Sequence, residues 1–375
     1  MINSETQQML KKQINECIKN NKEILKNLRK EVLELKNKVI TIRPRNTTSI
    51  ALVATDGGNN KFKFDPFLIH ILRVVDSNNN EIFLNVLVNE INIHDLSNFH
   101  LSRNDVLGRL MKELGVDDLS KLSHMLKPNK NGKLTRLGWI NDYRNIIEWA
   151  VLYEMITKKD YISDTLLIFD GLLRSKSFWP EIFKTIINKI QNAIEEHKKK
   201  KRNLYIVGVA KHTQILEQYR LAMYLENILN KNYPAYVEIP YSIEEKVFKY
   251  QEWRTPNDEQ INKKQFNEFS AGRMFLSKFG KNPFDPIWAV DIFAFQKEEH
   301  QKIMGFLLAD ALNGFPVPYY PLALQEAHKN AALVDFDFDI IQDYIYEAFR
   351  DILGNKQDIL DILELMDLDP ASKRY

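Results

Sequence analysis

The fold of this chain is decided by two apolar runs, Ser49-Ile-Ala-Leu-Val-Ala-Thr-Asp56-Gly-Gly58 and Thr165-Leu-Leu-Ile-Phe-Asp170-Gly171. Each run predicts a buried strand that carries one aspartate to its carboxyl end, where a glycine lets the backbone turn sharply. In open α/β sheets, that edge is where ligands usually bind. Two carboxylates that meet there repel each other unless a cation lies between them, so the pair indicates a divalent-metal site. Each Asp-Gly pair taken alone is equally compatible with an ordinary turn.

Composition narrows the class of protein. At 375 residues, the chain is long enough for one large α/β domain with appendages or for two domains. The net charge of +2 does not by itself indicate a nucleic-acid partner. Two basic runs, Lys127–Arg136 and Lys198–Arg202, are either solvated segments or surfaces that face DNA.

Cys17 is the only cysteine, which excludes an internal disulfide and a thiolate metal cluster. With neither a signal peptide nor a membrane-spanning stretch in the sequence, we expect a cytoplasmic protein without a membrane partner.

The first forty residues have the pattern of a long helix. Residues 5 to about 40 contain no proline or glycine, and Pro44 ends the segment. Its apolar residues recur mostly at steps of three or four and share one stripe: Leu10, Ile14, Ile18, Ile24, Leu28, Val32 and Leu35. The stripe packs either on its own domain or on a partner. A long charged helix with a narrow apolar seam suits a coiled-coil contact between two copies of the chain.

The order of the remaining elements predicts a mixed α/β sheet. Three antiparallel strands come first, and the second and third form a hairpin: 50–56, 67–75 and 81–88. Helices then alternate with strands at 165–170 and 204–209, which predicts crossover-connected parallel strands. This order is that of a ribonuclease H-like mixed sheet with helices on both faces. The predicted domains are the N-terminal helix at 1–45, a main domain at 46–355 with insertions near 95–139 and 243–283, and a C-terminal tail at 356–375.

A third acid is predicted on the helix from Asn141 to Thr157. Glu148 is flanked there by bulky apolar residues, and a carboxylate in such surroundings is costly to bury unless it is paired or bound to a metal. Arg144, one turn earlier, is one candidate partner, and the cation of the two aspartates is the other. Glu154 on the same helix is the second choice for the third acid.

Three further residues are candidates for phosphate chemistry. Lys211 follows a predicted strand just before a helix, where an ammonium could hold a phosphate oxygen or simply be exposed. Pro321 suits the first turn of a helix, which places Tyr320 just before that helix and His328 about two turns along it. His328 is therefore either a buried structural histidine or a ligand or acid–base group.

These pieces, in this order, resemble the NurA nucleases, which have a ribonuclease H-like fold. The resemblance rests on five segments and covers residues from about 48 to 350: Val53–Gly57, Arg144–Glu148, Leu167–Leu173, Val207–Lys211 and Tyr320–His328. The sequence departs from the family where a serine usually follows each Asp-Gly pair, because Gly58 and Leu172 stand there.

The resemblance implies a metal-dependent DNA nuclease. Asp56, Asp170 and Glu148 would then be ligands of Mn²⁺ (or Mg²⁺), and Tyr320 and His328 would lie near the scissile phosphate. Lys211 and Arg144 would contact the substrate. The resemblance also implies a homodimer that threads DNA and works with a HerA-type hexameric ATPase, either in DNA end processing or in defence against phage.

Two alternatives follow from the same residues. Asp56-Gly-Gly-Asn-Asn-Lys61 resembles the first phosphate loop of actin-like ATPases, although the chain has no later Gly-Gly motif and has only 13 glycines. A non-catalytic clamp that binds DNA or a partner ATPase is the other alternative, and the two missing serines favour it.

Overall fold

The computed structural model describes residues 3–45, 50–64, 67–136, 138–249, 269–333 and 335–353. The chain folds into two compact units, each made of three segments. Unit 1 comprises Met1–Val53, Asp160–Ser175 and Gln191–Gln325, and unit 2 comprises Ala54–Lys159, Lys176–Ile190 and Glu326–Tyr375. Within the described residues, no helix combines the length and the apolar character needed to cross a bilayer. The predicted tail at 356–375 lies outside the described residues.

The helices and strands have the following bounds. The helices are α1 (Ser4–Asn20), α2 (Lys22–Leu33), α3 (Ile93–Arg103), α4 (Val106–Leu114), α5 (Leu119–Leu122), α6 (Trp139–Thr157), α7 (Pro180–Lys199), α8 (Gln214–Leu225), α9 (Tyr241–Lys249), α10 (His300–Ala311), α11 (Leu322–Ala331) and α12 (Asp335–Leu353). The strands are β1 (Ile40–Thr41), β2 (Ile50–Phe64), β3 (Phe67–Asp76), β4 (Glu81–Val88), β5 (Ile91–Asn92), β6 (Lys133–Leu134), β7 (Asp164–Asp170), β8 (Leu204–Ala210), β9 (Ala235–Glu238), β10 (Gly272–Lys278) and β11 (Ile287–Phe293).

Unit 1 is built on a mixed sheet with the strand order β1-β9-β10-β11-β8-β7. Strands β7 and β8 are parallel, with Asp170 opposite Val209, and β11 continues the sheet antiparallel to β8. The interior strands β8 and β10 are buried along their whole length, as expected for strands that are covered on both faces. Val32 and Tyr219, from α2 and α8, belong to the buried apolar cluster on this sheet.

Unit 2 contains the antiparallel strands β2, β3 and β4. The register places Asp56 opposite Val75 and Gly57 opposite Val74. Helices α3, α4 and α6 pack with one another, and α6 also contacts β3. The apolar residues of α6 are buried almost all round, from Trp139 to Ile156. Burial on most sides fixes this helix, and with it the position of Glu148.

The predicted fold class is confirmed, because antiparallel strands come first and parallel, crossover-connected strands follow. The prediction of a single N-terminal helix is wrong, because the segment forms two helices. Asn21 ends α1 with its side-chain amide donating to the Cys17 carbonyl at 2.9 Å, and α2 begins at the next residue. Asparagine competes with the helical hydrogen bonds in this way, which makes it a frequent cap. The predicted stripe is therefore divided: Val32 and Leu35 are buried, whereas its members on α1 are exposed.

Two strand predictions also need correction. The first strand does not end at Asp56 but continues to Phe64, because ten of its residues pair with β3. The insertion predicted near 243–283 includes α9 and β10, and β10 is an interior strand of unit 1 between β9 and β11. The part of that insertion from 250 to 268 lies outside the described residues.

Candidate metal and phosphate site

Asp56 pairs with a histidine that lies 272 residues further along the chain. Nδ1 of His328 is 2.7 Å from Oδ2 of Asp56. Because an ionised carboxylate only accepts hydrogen bonds, Nδ1 is the donor, which leaves Nε2 able to accept a proton or bind a metal. The Asp56 side chain is 10% exposed, whereas that of His328 is 64% exposed, so His328 is not the buried structural histidine that was one expectation. Within the described part of unit 2, no lysine or arginine forms an ion pair with Asp56.

Glu148 contacts the residue that follows Asp56. A Cβ on Gly57 would come closer than 3.0 Å to Oε1 of Glu148, so the carboxylate of α6 packs directly on the β2 backbone. Arg144 is also present, with its Nε 3.4 Å from Oε1 of Glu148. Arg144, one of the two partners that the sequence left open for Glu148, is thus close to it, and the shared cation stays a prediction.

Glu154, the second choice for the third acid, is engaged elsewhere. Its two carboxylate oxygens accept hydrogen bonds from Nε and Nη2 of Arg109 at 2.7 and 2.6 Å. Such a two-pronged pair is among the stronger contacts that an arginine makes. The geometry of unit 2 therefore leaves Glu148, which contacts the backbone next to Asp56, as the more available of the two acids.

In unit 1, Asp170 is the last residue of β7, as predicted. Gly171 follows with φ 125°, a conformation that side-chain-bearing residues rarely adopt, so the sharp turn depends on glycine. The hydroxyl of Tyr320 donates to Oδ1 of Asp170 at 3.0 Å, and it lies 3.4 Å from the Val209 carbonyl oxygen. Tyr320 is fully buried, so its hydroxyl holds one oxygen of the carboxylate in place.

Lys211 lies next to the same tyrosine. Its Nζ is 4.8 Å from the centroid of the Tyr320 ring, within the range of a cation–π contact. The ring of Trp288 packs edge-on against the Tyr320 ring, with 4.9 Å between the two centroids. Unit 1 therefore brings together Asp170, Tyr320 and Lys211, whereas in unit 2 Asp56 pairs with His328 and Glu148 pairs with Arg144.

Two supporting groups in unit 1 were missed by the sequence analysis. Gln325 accepts from the Val317 amide and donates to the carbonyl oxygens of Val317 and Tyr320, all at 2.9 Å, which fixes the loop that carries Tyr320. A glutamine inside the apolar run Leu322–Ala327 was the available signal. The other group is the buried acid Asp291.

Asp291 holds the turn that follows Asp170. Its Oδ2 accepts from the Leu173 amide at 3.1 Å and from Nε of Arg174 at 2.9 Å. Glu244 lies 2.7 Å from Nη2 of Arg174, and burial is the main reason why its pKa is raised. Burial works to lower the pKa of Arg174, but the two acids beside it outweigh that effect and raise it.

The phosphate loop required by the ATPase alternative is not formed. Residues Gly57 to Lys61 pair with β3 as part of a strand, from Gly57 opposite Val74 to Lys61 opposite His70. Backbone amides that form the hydrogen bonds of a strand ladder are not arranged to surround a phosphate.

A local contact explains why glycine, and not the serine expected from the resemblance, stands at position 58. A Cβ on Gly58 would lie 2.6 Å from the Ala331 carbonyl oxygen.

Comparisons with known proteins give matches to solved structures, but none to a family model or a curated protein. Among solved structures, the NurA nuclease from Sulfolobus solfataricus is 14% identical, with 95% of this chain and 99% of that chain covered and a TM-score of 0.46. The chain is similar to the NurA nucleases. A crystal structure of NurA with manganese is 12% identical over 92% of this chain and 99% of that chain, with a TM-score of 0.42. Another, of NurA bound to dAMP and manganese, is 10% identical over 86% and 94% of the two chains, also with a TM-score of 0.42.

The resemblance inferred from the motifs is thus confirmed as a structural likeness. A likeness of this size carries no argument about activity or about individual residues. What the residues can do has to follow from their own chemistry. A carboxylate with an adjacent imidazole forms a donor set that suits Mn²⁺ and related divalent cations, and lysine and arginine side chains suit a phosphate group.

Proposed function

We propose that the protein is a metal-dependent nuclease that hydrolyses phosphodiester bonds in DNA. The observation that carries the proposal is the pair formed by Asp56 and the exposed His328. A mostly buried acid whose hydrogen-bond partner is an exposed imidazole is suited to a cation and to proton transfer. A purely structural aspartate would more typically be paired with an arginine or cap a helix.

In this proposal, Asp56, Glu148 and Asp170 are the ligands of Mn²⁺ (or Mg²⁺). When bound, the metal would lower the pKa of water and neutralise charge on the phosphate. Tyr320 orients Asp170 through its hydroxyl, and Asp56 orients the His328 ring so that Nε2 can move a proton. Lys211 and Arg144 supply positive charge for the phosphate, where negative charge develops during hydrolysis.

The direct test is degradation of linear DNA in the presence of manganese. We expect cleavage by the unaltered protein and none by Asp56→Ala. His328→Ala should lower turnover without a loss of folding, because most of the imidazole is exposed. Asp160→Asn is a matched control, since Asp160 is an exposed acid that pairs with Arg202 and has no part in the proposed site. Equal activity of the unaltered protein and Asp56→Ala would remove Asp56 from the mechanism.

The same variants distinguish a nuclease from the non-catalytic clamp. A clamp would bind DNA and show no manganese-dependent cleavage in any variant. Metal binding is measurable without activity, because a ligand that binds the folded state raises the melting temperature. We expect Mn²⁺ to raise the melting temperature of the unaltered protein and to have little effect on Asp56→Ala.

We also infer a homodimer that forms through α1. Every residue from Thr6 to Asn20 is exposed, and an amphipathic helix gains most of its stability from packing its apolar face. Leu10, Ile14 and Ile18 are 38%, 55% and 65% exposed along that face. Light scattering should give twice the chain mass for the unaltered protein and the single mass for Ile14→Glu/Ile18→Glu. An unaltered protein that is monomeric at micromolar concentration would contradict the inference.

The proposal extends to a cytoplasmic role with a HerA-type hexameric ATPase, in DNA end processing or in defence against phage. It rests on the motif resemblance alone. Co-purification of such an ATPase with the full chain is the test, and a nuclease that acts fully without any motor would argue against it.

A further inference from the structure

A basic and aromatic surface of unit 2 is not used by the proposed mechanism. It consists of Lys127, Lys130 and the half-buried rings of Trp179 and His124, and we call it the Trp179 surface. The segment from Leu119 to Asn141 contains five lysines and arginines and no acid. Within the described residues, neither Lys127 nor Lys130 lies within ion-pairing distance of a carboxylate, and both side chains are exposed.

The other basic run differs in this respect. Lys199 is 2.5 Å from Glu196, Lys200 is 3.6 Å from Asp160, and Arg202 is 2.8 Å from Asp160. Its charge is therefore largely compensated by neighbouring acids. An uncompensated positive charge is what attracts a polyanion, so the two runs are not equivalent.

The aromatic part of the Trp179 surface is held in position. The indole Nε1 of Trp179 donates to the Ser120 carbonyl at 2.9 Å, and its backbone amide donates to the Leu122 carbonyl at 3.1 Å. The ring of His124 lies beside it, with a centroid distance of 5.3 Å, and Nδ1 of His124 is 2.9 Å from the Phe178 carbonyl. Burial is the main cause that lowers the pKa of His124, and the neighbouring Lys127 and Arg136 lower it further.

We propose that the Trp179 surface binds single-stranded DNA, with a base stacked on Trp179 and the flanking phosphates on Lys127 and Lys130. This inference rests on the proposed nuclease function, for which it names a binding surface. Nζ of Lys127 lies over the Trp179 ring, 5.9 Å from its centroid, so the ring and the cation would meet a base and its phosphate together. Aromatic platforms between cationic side chains are the usual means of binding single strands without sequence preference.

The Trp179 ring is the reason why we propose single-stranded DNA and not a duplex as the ligand. In a duplex the bases are stacked on one another and only phosphates are available, so Trp179 would contribute nothing. The surface also lies close to the start of α6. Arg136 pairs with Asp142 in the first turn, and Glu148 follows six residues later, roughly 9 Å along the helix axis.

The test is fluorescence anisotropy of labelled (dT)20 and of a labelled 20-base-pair duplex, in EDTA so that no cleavage occurs. We expect Trp179→Ala to weaken binding of (dT)20 by about 5- to 100-fold and to leave duplex binding unchanged. Trp179→Phe, which keeps a stacking ring, should restore most of the affinity. Lys127→Ala/Lys130→Ala should reduce the slope of log affinity against log salt by about 1.4. Lys199→Ala/Lys200→Ala is the matched control and should change neither quantity.

The outcomes separate this inference from the nuclease proposal. If Trp179→Ala binds (dT)20 as the unaltered protein does, the proposed role of the Trp179 surface is wrong. The nuclease proposal is tested separately by manganese-dependent cleavage and is not affected by that result. If the duplex is affected as much as the single strand, the single-strand assignment is wrong. If binding depends on Trp179 but no cleavage occurs in any condition, the surface stands and the nuclease proposal fails.

Discussion

Gly208 of β8 packs against the turn that follows Asp170, so Gly208→Ala tests how that acid is held. A Cβ on residue 208 would come closer than 3.0 Å to the Gly171 carbonyl oxygen and would lie 3.1 Å from the Leu173 amide nitrogen. Both neighbours are backbone atoms of a turn that already has an unusual φ, so no side chain can rotate away. The turn itself has to shift, and Asp170 shifts with it.

The expected magnitude follows from packing. An extra methyl forced into a closely packed region typically costs about 1–3 kcal/mol, more than the roughly 0.8 kcal/mol that a buried methylene contributes. For a unit of this size, we expect a melting temperature lower by roughly 2–12 °C. If Asp170 binds metal as proposed, Mn²⁺ affinity should fall at least about tenfold, which corresponds to about 1.4 kcal/mol.

Calorimetric titration with Mn²⁺ and thermal melting measure the two effects separately. Val207→Ala is the matched control, because Val207 is fully buried in the same strand and successive strand residues face opposite sides. It should lose about 2 kcal/mol of stability and keep its Mn²⁺ affinity. Unchanged melting and affinity in Gly208→Ala would refute the close packing of the turn. Equal loss of affinity in both variants would show that metal binding merely follows stability.

Three further substitutions have expected outcomes. Tyr320→Phe removes a donor to Asp170 and should lower the free energy of unfolding by about 1–3 kcal/mol in urea denaturation; an unchanged value would mean that the hydrogen bond is replaced by water. Asp291→Ala leaves Arg174 without one of its buried acids and should cost about 3–5 kcal/mol, again measured in urea; a loss below 1 kcal/mol would contradict the pairing. Burial lowers the pKa of His70 from 6.5, so the unfolded chain takes up a proton first as the pH falls, and stability declines below about pH 6.5. His70→Gln should flatten the melting temperature between pH 7 and 5, and an equally steep decline would assign it to other groups.

The sequence was most informative where one local rule decided the structure. The strand that ends at Asp170 was predictable because an apolar run meets a glycine, and Gly171 does adopt a positive φ. The first Asp-Gly pair has the same local pattern, yet β2 continues through it. Ten cross-strand pairs with β3 hold those glycines in an extended conformation, and pairing of this kind is not visible in a short sequence window.

The long-range contacts of the site could not be read from spacing. Asp56 and His328 are far apart in sequence, and the pattern around His328 fitted a buried histidine equally well. Likewise, Glu148 and Glu154 lie on one helix, and the sequence does not show which of them is paired. Glu154 is paired because Arg109 of α4 lies next to it. Tertiary packing decides which of the two acids is already neutralised.

The glycine pair after Asp56 also limits which chains can share this arrangement. Gly57 and Gly58 face opposite sides of β2, so the Glu148 carboxylate approaches the backbone from one side and the Ala331 carbonyl from the other. A serine at position 58 would require the end of α11 to follow a different route. In this chain, a serine at position 58 would therefore displace the segment that bears His328, even with both aspartates retained.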